Sequence, residues 1–195
     1  LAWNALHALF AGAVARAVGG GDFGAWLRFA GFDFIILEGK CREPSYLYVE
    51  KGHVEIRPGD DLWGLDTEAT QTKLQARHGP QTRVACIGPA GERLVLYATI
   101  ASGRRSASRC GVGTVMGSKN LKAVAVRGAK GSGGTLKDPK AFMAAAKAAK
   151  KVLADNAVTG QGLPKYGTQV LMNVINEMGA LPTRNHRDVQ FEDAR

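Results

Sequence analysis

Cysteine is scarce in this sequence and nowhere clustered. Only Cys41, Cys86 and Cys110 occur in 195 residues. They are far apart and odd in number, so neither a disulfide framework nor a C-x-x-C metal site is indicated. A reducing cytoplasm is the expected setting. Histidine is equally sparse, and His7, His53, His78 and His186 share no ligand spacing. Aromatic residues make up 7% of the chain and do not alternate with basic ones, which disfavours a nucleic-acid stacking platform. A membrane-spanning run is also missing. The opening "LAWNALHALFAGAVARAV" is too short and interrupted to span. Its first basic residue is Arg16, behind the apolar run and not ahead of it as in a signal peptide. Residues 1–18 therefore read as a short helix or as unreliable sequence, and a leucine at position 1 fits a truncated or alternative start.

Acidic residues are few as well. Seventeen Asp and Glu face 26 Lys and Arg, a net charge of +9, which favours an anionic partner. Against these shortages stands glycine, at 25 residues, a sign of many tight turns or close backbone approaches. Apolar residues reach 45%, enough to bury a core.

The pattern along the chain predicts strands first and helices later. "FDFIILEGK" (32–40) reads as a buried strand and "SYLYVEKGHVEIR" (45–57) as a hairpin turning at Lys51-Gly52. Asp66 is placed to cap a helix over 67–78 that stops at Gly79-Pro80. "RVACI" (83–87), "LVLYATIA" (94–101) and "LKAVAVRG" (121–128) read as further strands. "GAKGSGG" (128–134) is a linker composition. Beyond it Asp138-Pro139 opens a helix whose lysines form a solvated face, and a second helix is expected from Tyr166 to Met178. The fold class is α+β, a β-rich region over 19–135 leading into the start of a helical domain over 136–195.

The densest cluster of functional residue types is "SGRRSASRCGVG" (102–113), with three arginines, three serines and three glycines in twelve positions. The following "GSK" evokes a P-loop, yet only three residues, not four, lie between Gly113 and Gly117, and Ser118 separates Gly117 from Lys119. A dinucleotide fingerprint fails at Met116, where its third glycine belongs. What remains is a cradle of backbone N–H groups, hydroxyls and guanidinium forks suited to phosphate or pyrophosphate. The plainer alternative is a solvent-facing turn with arginines as surface charge. Cys110 within it reads as a small buried residue, and His53 and His78 as ordinary surface residues.

Four segments in order, "GGGDFGAWLRFAGFDFIILEGK", "VACIGPAGERLVLYATI", "RSASRCGVGTVMGSKNLKAVAVRG" and "YGTQVLMNVINEMGALPTRN", resemble the tungsten-containing aldehyde ferredoxin oxidoreductases. The resemblance covers roughly residues 19 to 187. It implies a fragment of a cytoplasmic enzyme that oxidises aldehydes to carboxylic acids with ferredoxin as electron acceptor. The implied cofactors are tungsten (or molybdenum) on a bis-pterin bridged by magnesium, and a [4Fe–4S] cluster. The expected partners are ferredoxin, the aldehyde and the remaining domains of the same enzyme, with a possible homo-oligomer, and neither nucleic acid nor membrane.

Carried onto this sequence, the resemblance assigns the pterin phosphates to Gly20, Gly21, Arg105, Ser106, Ser108 and Arg109. The backbone carbonyl of Ser106 would face the magnesium, and "MGSKNLK" with Lys119 would form the turn and strand behind the cradle. Ser108 stands where many members have glycine. Val18 stands where the family has a magnesium-binding asparagine, and valine has no side-chain oxygen. No C-x-x-C-x-x-x-C motif occurs, so the cluster ligands are absent and the chain alone is expected to be inactive, with no catalytic residue of its own. His186, after "PTRN", could approach the cofactor from the next domain. The competing readings are a basic phosphate- or nucleic-acid-binding module and a degenerate fragment.

Overall fold

The computed structural model describes residues 3–6, 16–129, 131 and 134–192. The chain divides into two compact units, residues 1–134 and 135–195.

The first unit is built on a six-stranded mixed sheet. In chain order its strands are β3 (Ser45–Glu50), β4 (His53–Pro58), β5 (Arg83–Cys86), β6 (Ile100–Ser102), β7 (Arg105–Ala107) and β8 (Leu121–Arg127), arranged β4-β3-β8-β5-β6-β7. A separate antiparallel pair joins β1 (Trp3–Leu6) to β2 (Arg16–Gly19). Strand therefore replaces the helix expected at the start of the chain, while residues 7–15 lie outside the described residues.

Strand β3 lies parallel to β8, and the other pairings of the large sheet are antiparallel. The central strands are covered on both faces, which accounts for their nearly unbroken apolar runs. On one face Leu47, Val49, Ala85, Ile87 and Val126 pack with Phe23 and Trp26 of helix α1 (Phe23–Phe29) and Val112 and Met116 of helix α4 (Val112–Ser118). On the other, Tyr46, Tyr48, Val84, Cys86, Ala123 and Ala125 pack with Leu62 and with Leu74 of helix α2 (Thr67–His78). The alternation of neighbouring residues between these two cores is the period-two geometry of a strand.

Several local expectations hold for identifiable reasons. Lys51 (φ 49°) and Gly52 (φ 79°) adopt the left-handed conformations of a two-residue hairpin turn. The Asp66 carboxylate accepts from Ala69 N at 2.7 Å, and α2 ends before Gly79.

Two predicted strands do not form. Residues 34–38 are irregular, with Phe34 and Ile36 72% and 73% exposed. Of 94–101 only the end joins β6. The rest is turn and loop around a short helix α3 (Pro89–Glu92). There the Val95 and Ala98 carbonyls accept from Thr114 Oγ1 and Gly113 N, so they are spent on α4 and not on a neighbouring strand.

The second unit carries α5 (Pro139–Asp155), capped by Asp138 through Ala141 N at 2.9 Å. No residue of α5 is buried within the described structure, its lysines included. The expected single helix over 166–178 is broken. A π-helical turn (Ala157–Gly162) and α6 (Leu163–Tyr166) precede a 3-10 turn (Gly167–Leu171) and α7 (Met172–Glu177). The Asn176 side-chain amide holds the end of this unit, donating to Phe191 O at 2.9 Å and accepting from Phe191 N at 2.7 Å. His186 is exposed, in a turn with Arg184 and Asn185 at positive φ.

His78 departs from the expected surface residue. It is 8% exposed, stacked on Tyr48 at 4.0 Å between ring centroids, and hydrogen-bonded through Nε2 to the Tyr46 hydroxyl at 2.9 Å. Burial first, then the nearby Arg57 and Arg77 charges, lowers its pKa from 6.5 to about 4. Between those values the unfolded chain binds the proton that the folded chain refuses. Stability is thus retained above about pH 6.5 and lost as the pH falls toward 4, by up to about 3 kcal/mol. Urea midpoints of the wild type and His78→Phe at pH 7, 5.5 and 4.5 test this. The variant is expected to lose most of the decline, and parallel declines would refute the assignment.

Candidate functional site

The glycine-rich stretch is a buried helix more than a loop. Gly111 stands at φ 63° as the residue before α4, and Val112 to Gly117 are all buried. Its glycines serve close packing. A Cβ on Gly111 would lie 2.0 Å from Leu96 O, one on Gly113 2.5 Å from Thr99 O, and one on Gly117 1.9 Å from Gly91 O. Lys119, expected behind the cradle, instead donates to Gly39 O at 2.9 Å and ties down the 39–44 loop with the help of Asn120. The cradle residues proper lie upstream, on the β6–β7 hairpin and the short loop that follows it.

Gly103 (φ 57°) and Arg104 form the tip of that hairpin, and Ser102 pairs with Arg105. Arg105 reaches across to the turn that joins β2 to α1. Its aliphatic stem would lie 3.9 Å from a Cβ on Gly20 and 3.3 Å from one on Gly21, and Gly21 has φ 98°. Glycine at 21 is thus required by the backbone and leaves room for the arginine stem. The two glycines and Arg105, separated by more than eighty positions in sequence, are brought together.

Ser106 and Ser108 are exposed, and their hydroxyls are hydrogen-bonded at 2.5 Å. Alternation from the Ser102–Arg105 pair turns the Ser106 carbonyl away from β6, toward the sheet edge that β2 approaches. Arg109 is exposed on the loop leaving β7, and none of its atoms lies within 4 Å of a Cβ placed on Gly20 or Gly21. Among the described residues, Arg104, Arg105 and Arg109 make no ion pair. Asp33 is paired with Arg28 at 2.9 Å and so does not neutralise them.

Cys110 corrects a further expectation. It is exposed, at φ 66°, and its thiol lies 3.9 Å from the Arg16 carbonyl of β2. This contact joins the arginine loop to the strand leading into Gly20. The inert buried cysteine is Cys86, whose thiol pKa burial pushes up to about 12. Val18 is 48% exposed on β2 and offers no side-chain oxygen. Among the described residues no group of three or more His, Cys, Asp or Glu side chains is placed to hold a metal ion. No helix among them is long and apolar enough to cross a membrane. Arg104 is the residue underweighted by sequence, where the tip of a three-residue-strand hairpin gave little signal.

Comparison with known proteins identifies one family along the chain. The family model for the aldehyde ferredoxin oxidoreductase N-terminal domain matches residues 8–128, and the model for domains 2 and 3 of that enzyme matches residues 144–195. A tungsten-containing aldehyde ferredoxin oxidoreductase of Thermococcus kodakarensis is 46% identical over 185 residues, 94% of this chain and 30% of that protein. The enzyme of the same description from Pyrococcus furiosus is 46% identical over 176 residues, 89% of this chain and 29% of that protein. Among solved structures, the active site complex BamBC of benzoyl coenzyme A reductase with 1,5-dienoyl-CoA aligns at a TM-score of 0.59 and 46% identity. That alignment covers 60% of this chain and 18% of the other. The chain thus spans about 30% of the length of the curated relatives it matches.

Proposed function

We propose, from the premise that this chain belongs to the aldehyde ferredoxin oxidoreductase family, that it is the part of a tungsten-dependent aldehyde oxidoreductase that holds the phosphates of a bis-pterin cofactor. The observation that carries the reading is the stem of Arg105 lying beside Gly20 and Gly21 while its guanidinium makes no ion pair among the described residues. Clustered guanidinium forks beside side-chain-free backbone fit a pyrophosphate, which offers several charged acceptors at once. Arg104 and Arg109 add charge, and the paired Ser106 and Ser108 hydroxyls add donors. The outward Ser106 carbonyl suits one position on a hard divalent cation such as magnesium. In the loaded enzyme the tungsten–pterin group would supply the two-electron chemistry of aldehyde oxidation, with ferredoxin as acceptor, while this chain binds and orients it.

The second unit fits a supporting role. Phe142, Met143, Val152 and Leu153 of α5 are 53–70% exposed, an apolar load that suits packing against the remaining domains of a longer protein.

The test is cofactor content in the full-length enzyme. Arg105→Ala and Arg109→Ala each remove a charge-assisted contact worth about 1.5–3 kcal/mol. Each is expected to weaken cofactor retention by about tenfold or more. Tungsten measured by mass spectrometry and pterin by its oxidised fluorescence should fall together, while circular dichroism stays unchanged. Undiminished tungsten and pterin in both variants would refute the assignment.

A further inference from the structure

The hairpin that carries the arginines is lightly built. Strands β6 and β7 have three residues each, and β6 joins β5 through the single pair Cys86↔Ala101. A two-stranded hairpin of that size is marginal by itself. Its tip, Gly103 at φ 57° followed by Arg104 at negative φ, has the signs of a type II′ turn. In such a turn the N–H of the first central residue stands outside the ladder, and here that is the N–H of Gly103.

Gln71 of α2 takes it up. Its Oε1 accepts from Gly103 N at 2.6 Å, while its Nε2 donates at 2.9 Å to Thr67 O, one turn back on the same helix. The two bonds fix each other. Exchanging the oxygen and nitrogen of the amide would set donor against donor and acceptor against acceptor. The helix beneath is firmly seated, with Thr70 and Leu74 fully buried, Asp66 capping its start and its body packed on β5. Sequence gives no hint of the link, because residues 71 and 103 are 32 positions apart.

The opposite wall has its own tie. Asp22, next to Gly21, accepts from Arg83 Nε of β5 at 2.6 Å, and the Arg83 guanidinium carbon lies 4.7 Å from the Trp26 ring centroid. The glycine turn is thus pinned to β5 and the arginine hairpin to α2, which packs on that strand. We propose that Gln71 is a positioning residue for the phosphate site, holding the hairpin so that the Arg105 guanidinium is in place before the cofactor arrives. This role rests on the assignment of Gly20, Gly21 and Arg105 to the pterin phosphates. A charged group already held in its binding geometry loses less freedom on binding than one on a rocking hairpin, and the difference appears as affinity.

Four forms of the full-length enzyme test the proposal: wild type, Gln71→Met, Arg105→Ala and the double variant. Methionine is close to glutamine in length and helix propensity but has no oxygen to accept the Gly103 N–H, so the unfolding midpoint should change little. Hydrogen exchange over residues 102–106, followed by mass spectrometry, is expected to rise. Gln71→Glu keeps an acceptor and should restore the protection. Pterin release, followed by the fluorescence of the oxidised pterin, should quicken about fivefold in Gln71→Met, the worth of one ordinary hydrogen bond. Because Gln71 acts through Arg105, the double variant should release pterin no more than about twofold faster than Arg105→Ala alone.

Effects that multiply in the double variant would mark a general structural role and overturn the proposal. Unchanged exchange or unchanged release in Gln71→Met would overturn it too. In each of these cases fast release from Arg105→Ala leaves the phosphate assignment standing. Unchanged release from Arg105→Ala would remove that assignment and the role of Gln71 with it.

Discussion

Lys122→Met is expected to cost the first unit about 3–5 kcal/mol, among the largest losses available to a single substitution outside the glycines. Lys122 is fully buried, yet it sits in a strand between Leu121 and Ala123. The pairing of β8 with β3 shifts between Ser45↔Leu121 and Tyr46↔Ala123, which leaves Lys122 as an extra residue in a bulge. A bulge re-aims a side chain. Here Nζ donates to Leu65 O at 2.7 Å and pairs with Glu92, whose carboxylate also accepts from Gly64 N at 2.9 Å. One ammonium thus fastens α3 and the 62–65 turn to the sheet.

Removing it strands a carboxylate that is 5% exposed. Removing both charges, as Lys122→Met with Glu92→Leu, should cost less than the sum of the single changes, because no unpaired charge then remains. Urea unfolding of the wild type, both singles and the double measures that coupling. Additive losses, or a single loss below about 1 kcal/mol, would show that the pair is solvated.

The sequence displayed the parts of this fold governed by local chemistry. The β3–β4 hairpin was legible because alternation and Lys51-Gly52 agree. Helix α2 was legible because Asp66 and Gly79 bracket it, and β8 because "LKAVAVR" is short and apolar. What was hidden depends on long-range contact. "FDFIILEGK" has strand composition, but no strand pairs with it among the described residues, and it runs as irregular chain with Phe32 and Ile35 against the core. "LVLYATIA" gives the Val95 and Ala98 carbonyls to α4. His78 looks like a helix-end surface residue until β3 brings Tyr46 and Tyr48 against it.

The candidate site was legible in composition and not in arrangement. Serines and arginines at 105–109 pointed to an anion, and the family resemblance added Gly20 and Gly21. Only the fold shows the stem of Arg105 lying on those glycines. Conversely, the glycines of "RCGVGTVMGSKNLK", the strongest compositional signal, belong to helix packing. A close backbone approach and an anion cradle both require glycine, and sequence alone does not separate them.

That distinction sets the second large expectation. Gly117→Ala should destabilise the first unit by about 3 kcal/mol or more, as overpacking against rigid backbone does. In an exposed helix the same change would stabilise by about 1 kcal/mol. Gly117 lies within α4 without a positive φ, so the backbone itself would accept alanine. The obstacle is Gly91 in α3, whose carbonyl oxygen and carbon would stand 1.9 and 2.7 Å from the new methyl carbon. Neither atom is the end of a flexible side chain, so α3 and α4 must separate.

Separation would also pull Glu92 from Lys122, so the loss should exceed that of a clash at the rim of the fold. Gly39→Ala supplies the control. Gly39 has φ 69° and nothing within 4 Å of the added carbon, so only backbone strain of about 1 kcal/mol applies. Thermal unfolding of the two variants should differ by many degrees. Near-equal midpoints would mean that α3 and α4 are not in contact, and that the glycines of this stretch are present for some reason other than packing.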